Sequence, residues 1–187
     1  MIIAITDERG GMEKSIVAGR LAAARALAGR KVLLLDADPR QGALTQARVL
    51  HGGSVDAGMD GRASQSRLMA RAISAKGLQP ELEHLVHCYH DIVIDSESRD
   101  SMGSRSALVA ARVLVVALDE VTDRLAQERL ARRIAHARSA NPALRVLLAT
   151  DTDKDAAHAL AGQIPSARVV GFGQLYCAVF DTHHPTA

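Results

Sequence analysis

The chain has 187 residues, 48% of them apolar and 24% charged, a balance that suits one globular domain and excludes wholesale disorder. Aromatics at 2% exclude base-stacking platforms and aromatic cages as binding devices. A net charge of +2, from 23 basic and 21 acidic residues, demands no nucleic-acid partner and confines any such contact to a local patch.

In chain order, strands are expected at residues 2–6, 31–36, 91–95, 113–117, 145–150 and 168–170. Each is a short run rich in Val, Ile or Leu without interior polar residues, as strands buried on both faces are. Helical patterns fill the gaps at residues 15–28, 42–50, 62–75, 81–88, 104–110, 122–140 and 153–163, and a last one is expected near 174–180. This alternation predicts a single α/β domain over residues 1–187, a mostly parallel sheet with right-handed crossover helices on both faces. Residues 51–62, polar and carrying Gly52, Gly53, Gly58 and Gly61, read as a surface loop rather than a domain boundary. No run of about 18 apolar residues is present to cross a membrane. Asp7 and Glu8 follow the opening apolar residues at once, unlike a secretory leader. Two cysteines, Cys88 and Cys177, cannot staple a framework and suit a reducing compartment, so the expected location is cytoplasmic.

The first strand runs into Asp7-Glu8-Arg9-Gly10-Gly11-Met12-Glu13-Lys14-Ser15, and a helix follows. A strand, a glycine-bearing loop and Lys-Ser at a helix start are the parts of a phosphate cradle. Loop N–H groups and the helix N-terminus bind anionic oxygens, the lysine neutralises charge and the serine hydroxyl ligates magnesium. The strict pattern Gly-x4-Gly-Lys-Ser/Thr is broken twice, because Glu8 and Glu13 stand at its glycine positions. Taken alone, so short a motif favours the plainer reading of Gly10, Gly11, Lys14 and Ser15, a strand-to-helix turn with a capping serine. Carboxylates at Asp36, Asp38 and Asp95, at the ends of neighbouring strands, shift the balance to a nucleotide site.

The loop resembles the deviant Walker A motif of the ParA/MinD family, Lys-Gly-Gly-x-Gly-Lys-Ser/Thr-Ser/Thr. Arg9 stands at the signature lysine, Gly10, Gly11, Lys14 and Ser15 match, and Ile16 replaces the second hydroxyl. Lys31-Val-Leu-Leu-Leu-Asp-Ala-Asp-Pro-Arg-Gln41 is similar to the family's second-strand motif, and Asp91-Ile-Val-Ile-Asp95 to its Walker B strand, continued here by Ser96-Glu97-Ser98. The resemblance implies a P-loop-type domain whose cofactors are ATP and Mg2+, bound by Arg9, Gly10, Gly11, Met12, Glu13, Lys14, Ser15 and Ile16. It implies Ser15, Asp36 and Asp95 around magnesium, and Asp38 with Lys14 in catalysis, Asp38 orienting the attacking water. It also implies a partition protein that forms a homodimer, binds DNA non-specifically and meets a centromere-binding partner. Residues 174–180 are too short for an amphipathic membrane-targeting tail, so no membrane partner is expected. Arg9 keeps the charge that in the family reaches the other subunit's phosphates, with a different geometry. The rival reading is a pseudo-ATPase, an interaction protein that kept the fold and lost nucleotide. A biosynthetic amidoligase or dethiobiotin-synthetase-like enzyme is a third, with no substrate motif in its favour.

Glu13 is the main departure, a carboxylate and a Cβ where the loop closes on phosphate. Two like charges about 4 Å apart repel by roughly 4 kcal/mol at an effective dielectric near 20. Glu13 is therefore expected either to repel nucleotide or to fold onto Lys14 as a built-in anion. Residues 121–145 carry six basic side chains against two acidic ones. Arg129, Arg132, Arg133 and His136 are expected on one helical face, as a DNA-binding row or simply a solvated face, opposite Ala126, Leu130, Ile134 and Ala137. His84, His87 and Cys88 share helical spacing beside His90, which makes a metal site conceivable and a solvated helix end the commoner outcome.

Overall fold

Seven short apolar segments pair into one sheet in the computed structural model, which describes residues 1–8, 12–50, 67–74, 78–118, 124–152 and 154–182. In chain order they are β1 (Ile2–Thr6), α1 (Met12–Leu27), β2 (Val32–Asp36), α2 (Gly42–Leu50), β3 (Leu68–Ala72), α3 (Leu78–Leu85) and β4 (Asp91–Asp95). The second half continues as α4 (Met102–Ala110), β5 (Val113–Ala117), α5 (Arg124–Ala140), β6 (Arg145–Ala149), α6 (Lys154–Gln163), β7 (Arg168–Val170) and α7 (Phe172–Phe180). The strand order is β3-β2-β4-β1-β5-β6-β7, and every pairing is parallel.

The period of two along each strand sorts side chains into two cores. Ile3, Ile5, Val32, Leu34 and Val93 pack against α1, α2 and α7, while Ala4, Leu33, Leu35, Ile92 and Ile94 pack against α3, α4, α5 and α6. In α5 the buried stripe is Ala126, Leu130, Ile134 and Ala137, at the spacing of one helical face. β2, β4 and β5 are buried along their whole length, which is why their interiors read as unbroken apolar runs.

One expected element is corrected. The helix expected over residues 62–75 contains strand β3, and residues 62–66 lie outside the described residues. β3 is an edge strand in which Leu68 and Ala70 are buried while Met69 is exposed. Five residues with half their side chains turned out carry too few apolar positions to separate a period of two from one of 3.6.

Candidate functional site

The carboxyl ends of β1, β2 and β4 lie side by side, with Asp95 in register with both Ile5 and Asp36. Val93 faces α1, so Asp95, two residues on, faces the same helix. Lys14 and Ser15, in the first turn of α1, stand over it. The Lys14 ammonium donates to Asp95 Oδ1 at 2.8 Å and to Asp38 Oδ2 at 2.7 Å, and Ser15 Oγ donates to Asp95 Oδ2 at 2.6 Å. Lys14 is 0% exposed and Asp95 0%, an arrangement that water does not screen.

The electrostatics follow from that burial. Burial pulls against the charge on Lys14, but the carboxylates of Asp95 and Asp38 overcome it and hold the ammonium more firmly protonated than usual. Burial pushes Asp95 up to about 6 even with Lys14 and Ser15 bonded to it. Burial works the same way on Asp38, but hydrogen bonds from Arg40 and Lys14 win and hold this carboxyl well below the usual range. Arg40 reaches back with Nε at 3.1 Å from Oδ1 and Nη2 at 3.0 Å from Oδ2, and its backbone N–H donates to the same Oδ1 at 3.0 Å.

Asp36, expected near magnesium, has another occupation. Its side chain lies on the α2 face of β2 and accepts from the backbone N–H of Leu44 at 3.0 Å and of Asp38 at 3.1 Å. It thereby satisfies one of the orphan donors of the α2 N-terminus. Of the three residues expected around magnesium, Ser15 and Asp95 meet, and Asp36 instead braces the loop that carries Asp38. Gly42 opens α2 against Ser15: a Cβ at residue 42 would lie 2.9 Å from both Ser15 Cβ and Oγ.

Arg9, Gly10 and Gly11 lie outside the described residues, as does the side chain of Met12. Glu13 is exposed, and neither ion pair of Lys14 involves it. Instead it lines a separate cavity of about 430 Å³ between α1 and α7, together with Ile16, Arg20, Asp151, Phe172 and Tyr176. The anions folded onto Lys14 are Asp38 and Asp95, in the place expected for Glu13.

The α5 arginines also divide. Arg132 is 77% exposed and lies 3.8 Å from Glu128, whereas Arg129 pairs with Glu8 at 3.1 Å. Arg133 leaves the expected solvent-facing row. Its Nη1 donates to the Ser98 carbonyl at 2.6 Å and its Nη2 to Thr6 Oγ1 at 2.9 Å, because Thr6 lies on the face of β1 that meets α5. Elsewhere, His90 Nδ1 accepts from the Lys31 backbone N–H at 2.9 Å, and the Cys88 thiol contacts the His84 carbonyl at 3.7 Å. No group of three His, Cys, Asp or Glu suited to a metal occurs among the described residues.

The residues present fit a magnesium nucleotide in kind. A hydroxyl and carboxylates are the hard oxygen donors magnesium takes, and it typically uses one or two carboxylates with phosphate oxygens completing the shell. A fully buried lysine at the start of a helix is a phosphate partner. What differs from an open cradle is that the single Lys14 ammonium is already paired with two of the protein's own carboxylates. Sequence reasoning missed Arg40 and Gly42. An Asp-Pro-Arg turn does hold a signal for the first, since an aspartate at a turn commonly bonds the backbone two residues on.

No family model matches the chain, and no curated protein sequence matches it. Solved structures do. A plasmid partition protein from Borrelia burgdorferi aligns over 97% of this chain and 94% of its own at 16% identity, with a TM-score of 0.63. A chain of the MinC:MinD cell division protein complex from Aquifex aeolicus aligns over 97% and 85% at 16% identity, TM-score 0.64. Cobyrinic acid a,c-diamide synthase from Mycobacterium smegmatis, with bound ADP and magnesium, aligns over 86% and 81% at 21% identity, TM-score 0.61. Seven parallel strands, helices on both faces and a Lys-Ser helix start over two strand-end aspartates give this chain the P-loop fold of the ParA/MinD-type ATPases.

Proposed function

We propose that this chain is a ParA-like partition or positioning protein, a single nucleotide-binding domain over residues 1–187 whose cofactors are ATP and Mg2+. The observation that carries the reading is Lys14 and Ser15 converging on Asp38 and Asp95 at the carboxyl ends of β1, β2 and β4. Open parallel sheets bind ligands at that edge. When bound, magnesium would neutralise charge developing on the transferred phosphoryl group. Ser15 and Asp95 would hold the metal, Lys14 would pair with phosphate oxygens once released from Asp38, and Asp38 would orient a water. Arg9, Gly10, Gly11, Met12, Glu13 and Ile16 complete the proposed nucleotide contacts. Dimerisation linked to ATP, non-specific DNA contact through Arg129 and Arg132, a centromere-binding partner and a cytoplasmic location belong to the same proposal. The Aquifex neighbour, solved in a complex with a partner protein, supports the partner. No described helix is long and apolar enough to cross a membrane.

A second reading has its own observation. Because Lys14 is bonded to two internal carboxylates and sealed from solvent, the chain also suits a pseudo-ATPase that keeps the fold as an interaction surface. Titration of Mg-ATP by calorimetry, with molar mass followed by light scattering, decides between them. A partition ATPase binds saturably, doubles in mass with nucleotide and loses both in Lys14→Ala. A wild type that binds no nucleotide at millimolar concentration, and keeps one mass throughout, sinks the first reading.

A further inference from the structure

The geometry points to a second anion site, a cavity between α4, α5 and the segment after β4 that takes a diphosphate group of a small ligand and works independently of Lys14. The cavity measures about 600 Å³, within the ordinary range for small-molecule sites. Five guanidiniums line it, from Arg99, Arg105, Arg129, Arg132 and Arg133, against two carboxylates, Glu8 and Asp100. Both carboxylates are already engaged. Asp100 holds Arg105 by two bonds of 2.8 and 2.7 Å, and Glu8 holds Arg129 at 3.1 Å.

Three arginines are left over. Arg99 is exposed, and among the described residues Arg132 has only the 3.8 Å approach to Glu128. Arg133 is fixed inward on neutral oxygens: the Ser98 carbonyl, Thr6 Oγ1 and, at 3.3 Å, the Asp7 carbonyl. Its Nε is buried without a hydrogen-bond partner. A concave surface lined by five guanidiniums against two carboxylates is unfavourable when empty, because two like charges about 8 Å apart still repel by about 2 kcal/mol at an effective dielectric near 20. A trianionic diphosphate matches that excess. Guanidinium forks also present paired N–H donors at the spacing of phosphate oxygens. Apart from His136 the lining holds no ring, so recognition falls on the phosphoryl oxygens rather than on a base.

The site lies on the α4/α5 face of β1, opposite the face that carries Lys14, so the two can be separated by mutation. Inorganic pyrophosphate is the probe, added to the full chain in thermal denaturation against sodium chloride of equal ionic strength. The expected result is a saturable rise in Tm of about 5–10 °C at a hundredfold excess over Kd. The rise should persist in Lys14→Ala and vanish in Arg99→Ala/Arg132→Ala, two exposed positions whose change spares the core. Loss of the rise in Lys14→Ala, or its survival in the double variant, overturns the proposal by moving the ligand elsewhere. No rise in wild type overturns it outright. If duplex DNA depends on Arg99 and Arg132 while pyrophosphate does not, the surface is a nucleic-acid face and the small-ligand site falls. Loss of the rise in Lys14→Ala would place pyrophosphate at Lys14 and favour the proposed function there, while the other outcomes leave that reading untouched.

Discussion

Asp38→Asn tests whether Lys14 is held closed by the protein's own carboxylates. At 2.7 Å and an effective dielectric near 20, the gross attraction between Lys14 and Asp38 is about 6 kcal/mol. Most of it is offset, because both groups were taken out of water to form the pair. The amide keeps an oxygen for Lys14 and removes one negative charge from the place where phosphate must arrive. It also weakens the bonds that Arg40, 60% exposed, makes to Asp38 at the rim. We expect ADP to bind 10- to 100-fold more tightly, about 1.4–2.8 kcal/mol. Stability should fall by about 1–2 kcal/mol, since Lys14 keeps Asp95 as its counter-ion. Any ATP turnover should drop as binding improves, if Asp38 orients the water. The assay is calorimetry with ADP, with and without magnesium, on wild type, Asp38→Asn and Glu13→Gly. Glu13 is exposed and makes no pair with Lys14, so Glu13→Gly should change affinity no more than about threefold, under 1 kcal/mol. If Glu13→Gly gains more than Asp38→Asn, or Asp38→Asn gains nothing, the internal carboxylate is not the competitor and the reasoning fails.

Three further outcomes are expected. Asp95 titrates near 6 in the fold against 3.8 unperturbed, so the folded chain holds an extra proton between those values. The stability this gives is full below about pH 4 and lost as pH rises through 6, so wild type should fall behind Asp95→Asn by up to about 3 kcal/mol from pH 4 to 7. Parallel urea-unfolding stabilities across that range would refute the assignment. Gly42→Ala should push Ser15 off Asp95, because the new Cβ lies 2.9 Å from the hydroxyl. A loss of about 1–3 kcal/mol and a weaker magnesium requirement for nucleotide are expected, and an unchanged melting curve would show that α2 simply moves aside. Asp36→Ala should cost about 1–3 kcal/mol by leaving the Leu44 and Asp38 N–H groups unpaired. Magnesium dependence of nucleotide binding should persist in that variant, and its disappearance would restore Asp36 as a metal ligand.

Buried parallel strands and amphipathic helices announce themselves in a single sequence, because burial on two faces leaves unbroken Val, Ile and Leu runs. This is why Val32–Asp36, Asp91–Asp95 and Val113–Ala117 were legible. β3 was not, since an edge strand with Met69 exposed follows no such rule. The site divides in the same way. Lys14, Ser15, Asp38 and Asp95 converge because strand ends and a helix start define their places, and those are set by backbone topology. The partners each side chain chooses are set by distances of a few tenths of an ångström, which spacing along the chain does not encode. Asp36 and Asp38 differ by two positions in one motif, yet one accepts backbone N–H groups of α2 and the other binds Lys14 and Arg40.

The same limit explains Glu13. Its position in the motif put it at the phosphates, and Lys14, the next residue, does point into that place. Consecutive helical residues are separated by about 100° of rotation, so a side chain one position earlier in α1 faces away from Lys14. The observed exposure of Glu13 beside Arg20 and Phe172 follows from that rotation. The charge facing an incoming phosphate therefore comes from two residues, Asp38 and Asp95. A chain that closes its lysine with its own carboxylates can be opened by a ligand that displaces them. A chain blocked by a misplaced loop glutamate could be opened only by mutation. Affinity in wild type against the Asp38→Asn variant separates these two cases.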